Sequence, residues 1–523
     1  MLAVTPQALK QCLATVGKEI ALLDIREFGE YGMGHPFHAV NLPLSRLEIG
    51  IWRLVPRLST PIVVIDEKDE GRARHAIQCL MHLGYCDVSW LEGGIVAWRE
   101  AGHGVFSGVN VVSKAFGELV HERYHTPSIH AVTLADWQQR GRSVYVIDGR
   151  PIDEYRKMNI PNSTCCPNGE LVKRLPSILD GDTATPVVIN CAGRTRSIIG
   201  AQTLRWLGIE NPVYALENGT QGWRLAGFEL EHGSERNLPP QIRNESSFGV
   251  SARQLAEANG ARAIEARTAR SWLDDSHRTT YLFDVRSAEE YWKASAVGAI
   301  HAPGGQLIQA TDQWVGVYRS RIVLIDDDEC RAPVVAAWLA LMGIEVAWLK
   351  GGKSEWTELA SSYPPMQPFS APSPPAITDI ETALDPRTLT LDVRSAMEFR
   401  NGHLPGSRWI NRALLECQLV DVDITHPVVL VGDAGRAACL APDLTAKGFK
   451  KIGWLRDDIV SWKKSGVRLE SSPDDPSDAS CIDYLFFVHD RHDGNLEASR
   501  RYLAWELGLL AQLDADERAS FLI

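Results

Sequence analysis

One short pattern recurs four times along the chain and constrains the fold more than any other feature. An Asp-x-Arg triplet stands at Asp24 and Arg26, Asp148 and Arg150, Asp284 and Arg286, and Asp392 and Arg394. An apolar run precedes each Asp (IALLD, VYVID, YLFD, LTLD), and an aromatic residue lies seven places after it: Tyr31, Tyr155, Tyr291 and Phe399. Pro43, Pro167 and Pro303 lie nineteen residues after the Asp, with Asn411 in the fourth copy. A second apolar run follows (PIVVI, PVVIN, RIVLI, PVVLV), then a helix-like segment, and each copy closes on a Trp: Trp98, Trp223, Trp356 and Trp462. Intervals repeated this regularly mark one folding unit used four times. Strands alternating with helices predict an α/β fold, each copy a mainly parallel central sheet flanked by helices.

At roughly 100–200 residues per domain, a chain of 523 residues suits three to five domains. The repeats predict domains over 1–107, 126–233, 247–362 and 375–472, with a C-terminal helical tail over 480–523. The Pro-rich stretch 361–375 reads as a linker that cannot be helical. The segments near 108–126 and 232–247 read as less distinct linkers. In the tail, Tyr502, Leu503, Trp505, Leu507, Leu509 and Leu510 are expected to form one helix face that docks onto the domains.

Composition narrows the function classes. The formal net charge is −12 and there is no basic block. Broad nucleic-acid or anionic-membrane binding is therefore not expected, since phosphate contacts need clustered Lys and Arg. Apolar runs fall well short of the ~20 residues that span a bilayer. The N-terminus lacks the charged start, apolar stretch and small-residue cleavage site of a signal peptide, so a cytoplasmic chain with reduced cysteines is expected. The ten cysteines form no CxxC pair.

Gly34-His35, Gly402-His403-Leu404-Pro405-Gly406, and Trp90-Leu91-Glu92-Gly93-Gly94 leading to Trp98 complete a recognisable set. With the Asp-x-Arg element, it resembles the rhodanese domain, in four tandem copies over about residues 1–475. The resemblance implies sulfur-transfer chemistry, no metal or organic cofactor, and a catalytic cysteine where the central strand ends and a helix begins. That location has a physical reason. Unpaired N–H groups at a helix N-terminus favour an anion, and the thiolate is the form that attacks sulfur.

The corresponding positions are Asp66, Cys191, Asp326 and approximately Gly432. Only the second copy has the nucleophile. Its loop, Cys191-Ala192-Gly193-Arg194-Thr195-Arg196, is expected to bind the donor: Gly193 lets the backbone curl, Arg194 and Arg196 add positive charge, and Thr195 offers a hydroxyl. The other three copies read as inactive. Asp66-Glu67-Lys68-Asp69-Glu70 and Asp326-Asp327-Asp328-Glu329 put carboxylates where an anion would sit, and Cys330 and Cys439 are displaced from the nucleophile position. The acidic run 326–329 reads as a solvated exposed loop rather than a metal site.

The expected reaction is two-step sulfur transfer from thiosulfate, through a Cys191 persulfide, to a thiophile: cyanide in an assay, a thiol or an acceptor protein in the cell. Mercaptopyruvate is the alternative donor. A scaffold or sulfur-relay protein is the alternative of another class. A phosphatase is disfavoured because Ser197, not Arg, lies six residues after Cys191. Cys165 and Cys166 could supply a resolving thiol but read as buried. Asp148 with Arg150, and His35, His38, His301 and His403, read as structural, since the first pair recurs in copies without a nucleophile.

Overall fold

The computed structural model describes residues 2–68, 71–237, 248–360, 372–493 and 495–523. Asp69, Glu70 and most of the expected linkers at 232–247 and 361–375 lie outside the described residues. Each of the four repeats forms one five-stranded sheet, with strands in the spatial order 1-5-4-2-3 and every pair parallel. In the second domain these strands are Ser128–Ile129, Tyr145–Asp148, Thr164–Cys165, Val187–Asn190 and Val213–Leu216. Helices cover both faces, so the central strands are buried throughout, as the near-continuous Val and Ile of PVVIN require.

The strand register verifies the alignment of the copies. Asp24 pairs with Ile65, Asp148 with Asn190, Asp284 with Ile325, and Asp392 with Val431. The next residue in each case is Asp66, Cys191, Asp326 or Gly432.

The recurrent motif residues build the same local frame each time. Each Arg grips its Asp through Nε and Nη2, and all four pairs are buried. The same Arg donates to a carbonyl eight residues on, that of Gly34, Met158, Ala294 or Gly402. One guanidinium thus ties the end of a central strand to the far end of the next helix. His35 and His403 stack on Tyr31 and Phe399 at 3.8 Å, and His301 on Tyr291 at 4.7 Å. Burial pushes the His35 imidazole down to about 4, so it stays neutral.

The chain divides into two compact units. One comprises Met1–Thr15, Ile20–Val109 and Pro368–His489; the other comprises Val16–Glu19, Asn110–Gln367 and Asp490–Ile523. The first domain thus shares a unit with the fourth, and the second with the third.

In the first unit, Arg412 joins Glu48 and Asp443, both at 2.7 Å. His75 reaches Asp443 at 3.2 Å. Hydrogen bonds to Asp443 and Cys79 outweigh burial and push His75 up to about 10. A histidine raised above its unfolded value of about 6.5 stabilises the fold fully below that value, and the contribution fades as pH rises through the folded value. His75→Gln is therefore expected to lower the melting temperature of this unit near pH 6 by about 2–4 °C. That corresponds to about 1 kcal/mol once solvent screening of the partly exposed ring is allowed for. The deficit should vanish near pH 10, and calorimetry at the two pH values checks it.

In the second unit, the fully buried Arg331 joins Glu170 at 3.0 Å and Glu290 at 2.6 Å. The segment expected as a linker near 108–126 is instead a helix, Val111–Tyr124. Ser113 through Val120 are all buried, polar residues included. The helix therefore lacks the one-sided apolar stripe by which amphipathic helices are recognised. In the tail, Leu496–Leu507 is helical, capped by the Asn495 side chain. Tyr502, Leu503 and Leu509 are buried as expected, but Leu507 is exposed and Glu506 is buried in its place.

Candidate active site

Cys191 follows the central strand Val187–Asn190 directly, and the helix Thr195–Trp206 begins four residues later. The loop is pinned from beneath. Thr220 N donates to Cys191 O at 2.8 Å and Gln221 N to Ala192 O at 3.2 Å. These residues open the helix Gly219–Leu225. Gly219 has φ +54°, and a Cβ there would fall 2.1 Å from Cys191 O, so only glycine allows the approach. Gly94 and Gly352 make the same approach to Asp66 and Asp326, which explains the Gly-Gly in the closing element.

The third domain shows what such a loop binds. Asp326, at the nucleophile position, is buried. Its carboxylate accepts the N–H groups of Glu329, Cys330, Arg331 and Ala332 at 2.8–2.9 Å. Asp327 and Asp328 are exposed, as expected of a solvated acidic loop, but Asp326 departs from that expectation. The side chain turns inward because unpaired donors at a helix start are satisfied best by an anion. Among the described residues, no group of three or more His, Cys, Asp or Glu could hold a metal ion. In the first domain Asp66 is likewise buried; burial pushes its carboxyl up to about 6. The fourth has Gly432 and no side chain to offer.

In the second domain Cys191 holds that place, itself 2% exposed. The Ser197 hydroxyl lies 3.1 Å from its Sγ and donates to it. In the sequence Ser197 counted only against a phosphatase; its contact with Cys191 is made by the fold. By register, the N–H groups of Arg194, Thr195, Arg196 and Ser197 correspond to those that embrace Asp326.

The charged side chains of the loop are placed differently from the simplest expectation. Arg194 makes two bonds to Glu118, at 2.7 and 2.9 Å. Arg196 makes two to Glu154, at 2.8 and 2.7 Å. Arg72 with Glu30 and Arg331 with Glu290 repeat the Arg196–Glu154 arrangement in nucleophile-free copies, so that pair belongs to the frame as well. Thr195 donates to Glu506 at 2.9 Å, and Lys114 lies 3.1 Å from the same oxygen. Three cations and three carboxylates thus surround the loop. Lys114, Glu118 and Glu506 come from helices outside the repeat pattern, where no motif could have marked them.

Cys165 and Cys166 are fully buried, and burial pushes the Cys165 thiol up to about 12 and that of Cys166 well above its ordinary value. Neither is suited to react as a thiolate.

The model of the rhodanese-like domain matches residues 5–101, 130–226, 265–359 and 378–465. The crystal structure of thiosulfate sulfurtransferase from Pseudomonas aeruginosa is similar from end to end, with 37% identity, 100% of this chain and 99% of that one covered, and a TM-score of 0.89. An uncharacterized protein of Synechocystis sp. is 31% identical over 99 residues, and the match spans 19% of this chain and 52% of that relative. With four domain matches covering most of its length, and the expected sheet in each, this chain belongs to the rhodanese-like family.

Proposed function

We propose that the chain is a sulfurtransferase that takes sulfane sulfur from thiosulfate onto Cys191 and passes it to a thiol. The Cys191 thiolate attacks the outer sulfur of thiosulfate. A new S–S bond forms, the donor S–S bond breaks, and sulfite leaves with the electron pair. A thiolate acceptor then attacks the outer persulfide sulfur and returns Cys191 as thiolate.

One observation carries the reading: a cysteine replaces the carboxylate that fills the equivalent N–H cradle in the third domain. A site built to hold a buried carboxylate suits a persulfide anion and the charge that develops on departing sulfite. The backbone donors of Arg194, Thr195, Arg196 and Ser197, which correspond to those around Asp326, supply that stabilisation, with Arg194 and Arg196 holding the loop Ala192–Arg196 in shape through Glu118 and Glu154. The end-to-end similarity to a protein named as a thiosulfate sulfurtransferase supports the donor. No described helix is long and apolar enough to cross a membrane; a cytoplasmic thiol, free or on an acceptor protein, is the proposed acceptor.

The test is direct. Incubation with thiosulfate should add one sulfur atom to the intact protein, peptide mapping should place it on Cys191, and cyanide should remove it as thiocyanate. Sulfur mapped to Cys165 or Cys166, or no sulfur gained, would overturn the assignment.

A further inference from the structure

The C-terminal helix Leu496–Leu507 carries Glu506 into the loop around Cys191. Glu506 is completely buried. Oε1 is well served, by the Thr195 hydroxyl and by Lys114 Nζ. Oε2 has no hydrogen-bond partner, and it lies 3.0 Å from where a Cβ on Gly193 would stand. Burial pushes the Glu506 carboxyl up, but Lys114, Thr195 and Arg194 outweigh burial and hold it below its ordinary range, so it stays charged. Tyr502, one turn earlier, lies 3.5 Å from the same Gly193 position, and Lys114 sits over its ring. An unpartnered buried carboxylate oxygen is costly, and such an oxygen facing the loop meant for an anionic donor calls for a role.

We infer that Glu506 is a specificity-determining residue: it sets the charge that the site tolerates on a sulfur donor, disfavouring dianions relative to monoanions. Arg194 and Arg196 are each matched by their own carboxylate. Lys114 is paired with Glu506 in the same way. Removing the Glu506 charge would leave Lys114 unmatched and the loop one unit more positive; with it, the doubly charged thiosulfate meets a buried carboxylate. A monoanionic donor such as 3-mercaptopyruvate feels half that repulsion. This inference rests on Cys191 being the sulfur acceptor of the proposed function.

Glu506→Gln keeps the shape and removes the charge. It should raise kcat/KM for thiosulfate relative to 3-mercaptopyruvate by about tenfold, mainly through a lower KM, as expected for one charge beside the loop in a partly screened site. Lys114→Met, which leaves the carboxylate without its cation, should move the ratio by a similar factor the other way. The double variant, neutral at both places, should return close to wild type and guards against misfolding of either single variant. A merely structural role would lower both donors together and could not improve thiosulfate. A ratio unchanged within about twofold in Glu506→Gln, or a fall, overturns the inference.

A second readout does not depend on sulfur transfer. Alkylation of Cys191, followed in its own peptide, should shift in favour of anionic iodoacetate over neutral iodoacetamide by about tenfold in Glu506→Gln. If wild type turns over neither donor, the proposed function fails, and this ratio decides the charge effect alone.

Discussion

Cys191→Ser is expected to lower sulfite release from thiosulfate by at least about 10³-fold, the scale seen when a covalent nucleophile is removed. The substitution is nearly isosteric, so the loop should hold. Its pins are backbone bonds from Thr220 and Gln221, which do not involve the thiol. Serine can accept no sulfane sulfur, and no equivalent domain can compensate, because Asp66, Asp326 and Gly432 hold the other three nucleophile positions. Among the other cysteines, Cys165, Cys166 and Cys439 are buried and their thiols are pushed up by burial, so these three do not compete well. The check is initial-rate sulfite release with cyanide as acceptor, beside a melting curve showing that the variant is folded. Residual activity above about one thousandth of wild type would place the chemistry elsewhere.

Arg150→Leu is expected to cost about 3–5 kcal/mol, because it leaves the buried Asp148 carboxylate without its cation. Asp148 loses two guanidinium bonds, at 2.9 and 2.7 Å, and keeps Asn190 and the Arg150 backbone N–H as partners. Activity should fall only as the folded fraction falls. The informative comparison is Arg26→Leu in the first domain, where the same pair stands with no nucleophile beside it. A loss of similar size there, read as a shift of the matching transition in urea, identifies the pair as architecture. If Arg150→Leu left the transition in place and removed only turnover, the pair would instead belong to the chemistry.

The two variants probe features of very different legibility. The Asp-x-Arg element was readable because its causes are local and repeated: strand alternation, a guanidinium two residues from its carboxylate, and an aromatic seven residues on. Cys191 stood out because the same intervals bring one position of each copy to the end of the same strand, and the strand register places Asp66, Cys191, Asp326 and Gly432 at that position. The charge partners of the loop were not readable. Arg194 and Arg196 look like free cations beside a nucleophile. Their carboxylates lie 76 and 42 residues away in the chain, and only packing reveals that they are matched. The helix Val111–Tyr124 escaped for a related reason, since a helix buried on most of its faces shows no apolar stripe. The tail helix was anticipated, but its buried carboxylate was not. Its apolar residues suggested docking, whereas Glu506, a charge that normally marks a solvent face, is the side chain that reaches the site.

By itself, then, the sequence determined that there are four copies of one parallel α/β unit and that only the second has a cysteine where its central strand ends, because period and residue chemistry are written along the chain. The tertiary structure decided which domains share a unit, the first with the fourth and the second with the third. It also decided the electrostatics around Cys191, where Thr195 meets a carboxylate 311 residues away. The physical reason is the range of the interactions. Strand, turn and cap chemistry act over a few residues and leave a periodic trace. The net charge of a buried site depends on which distant helices pack against it, and those contacts have no period to read.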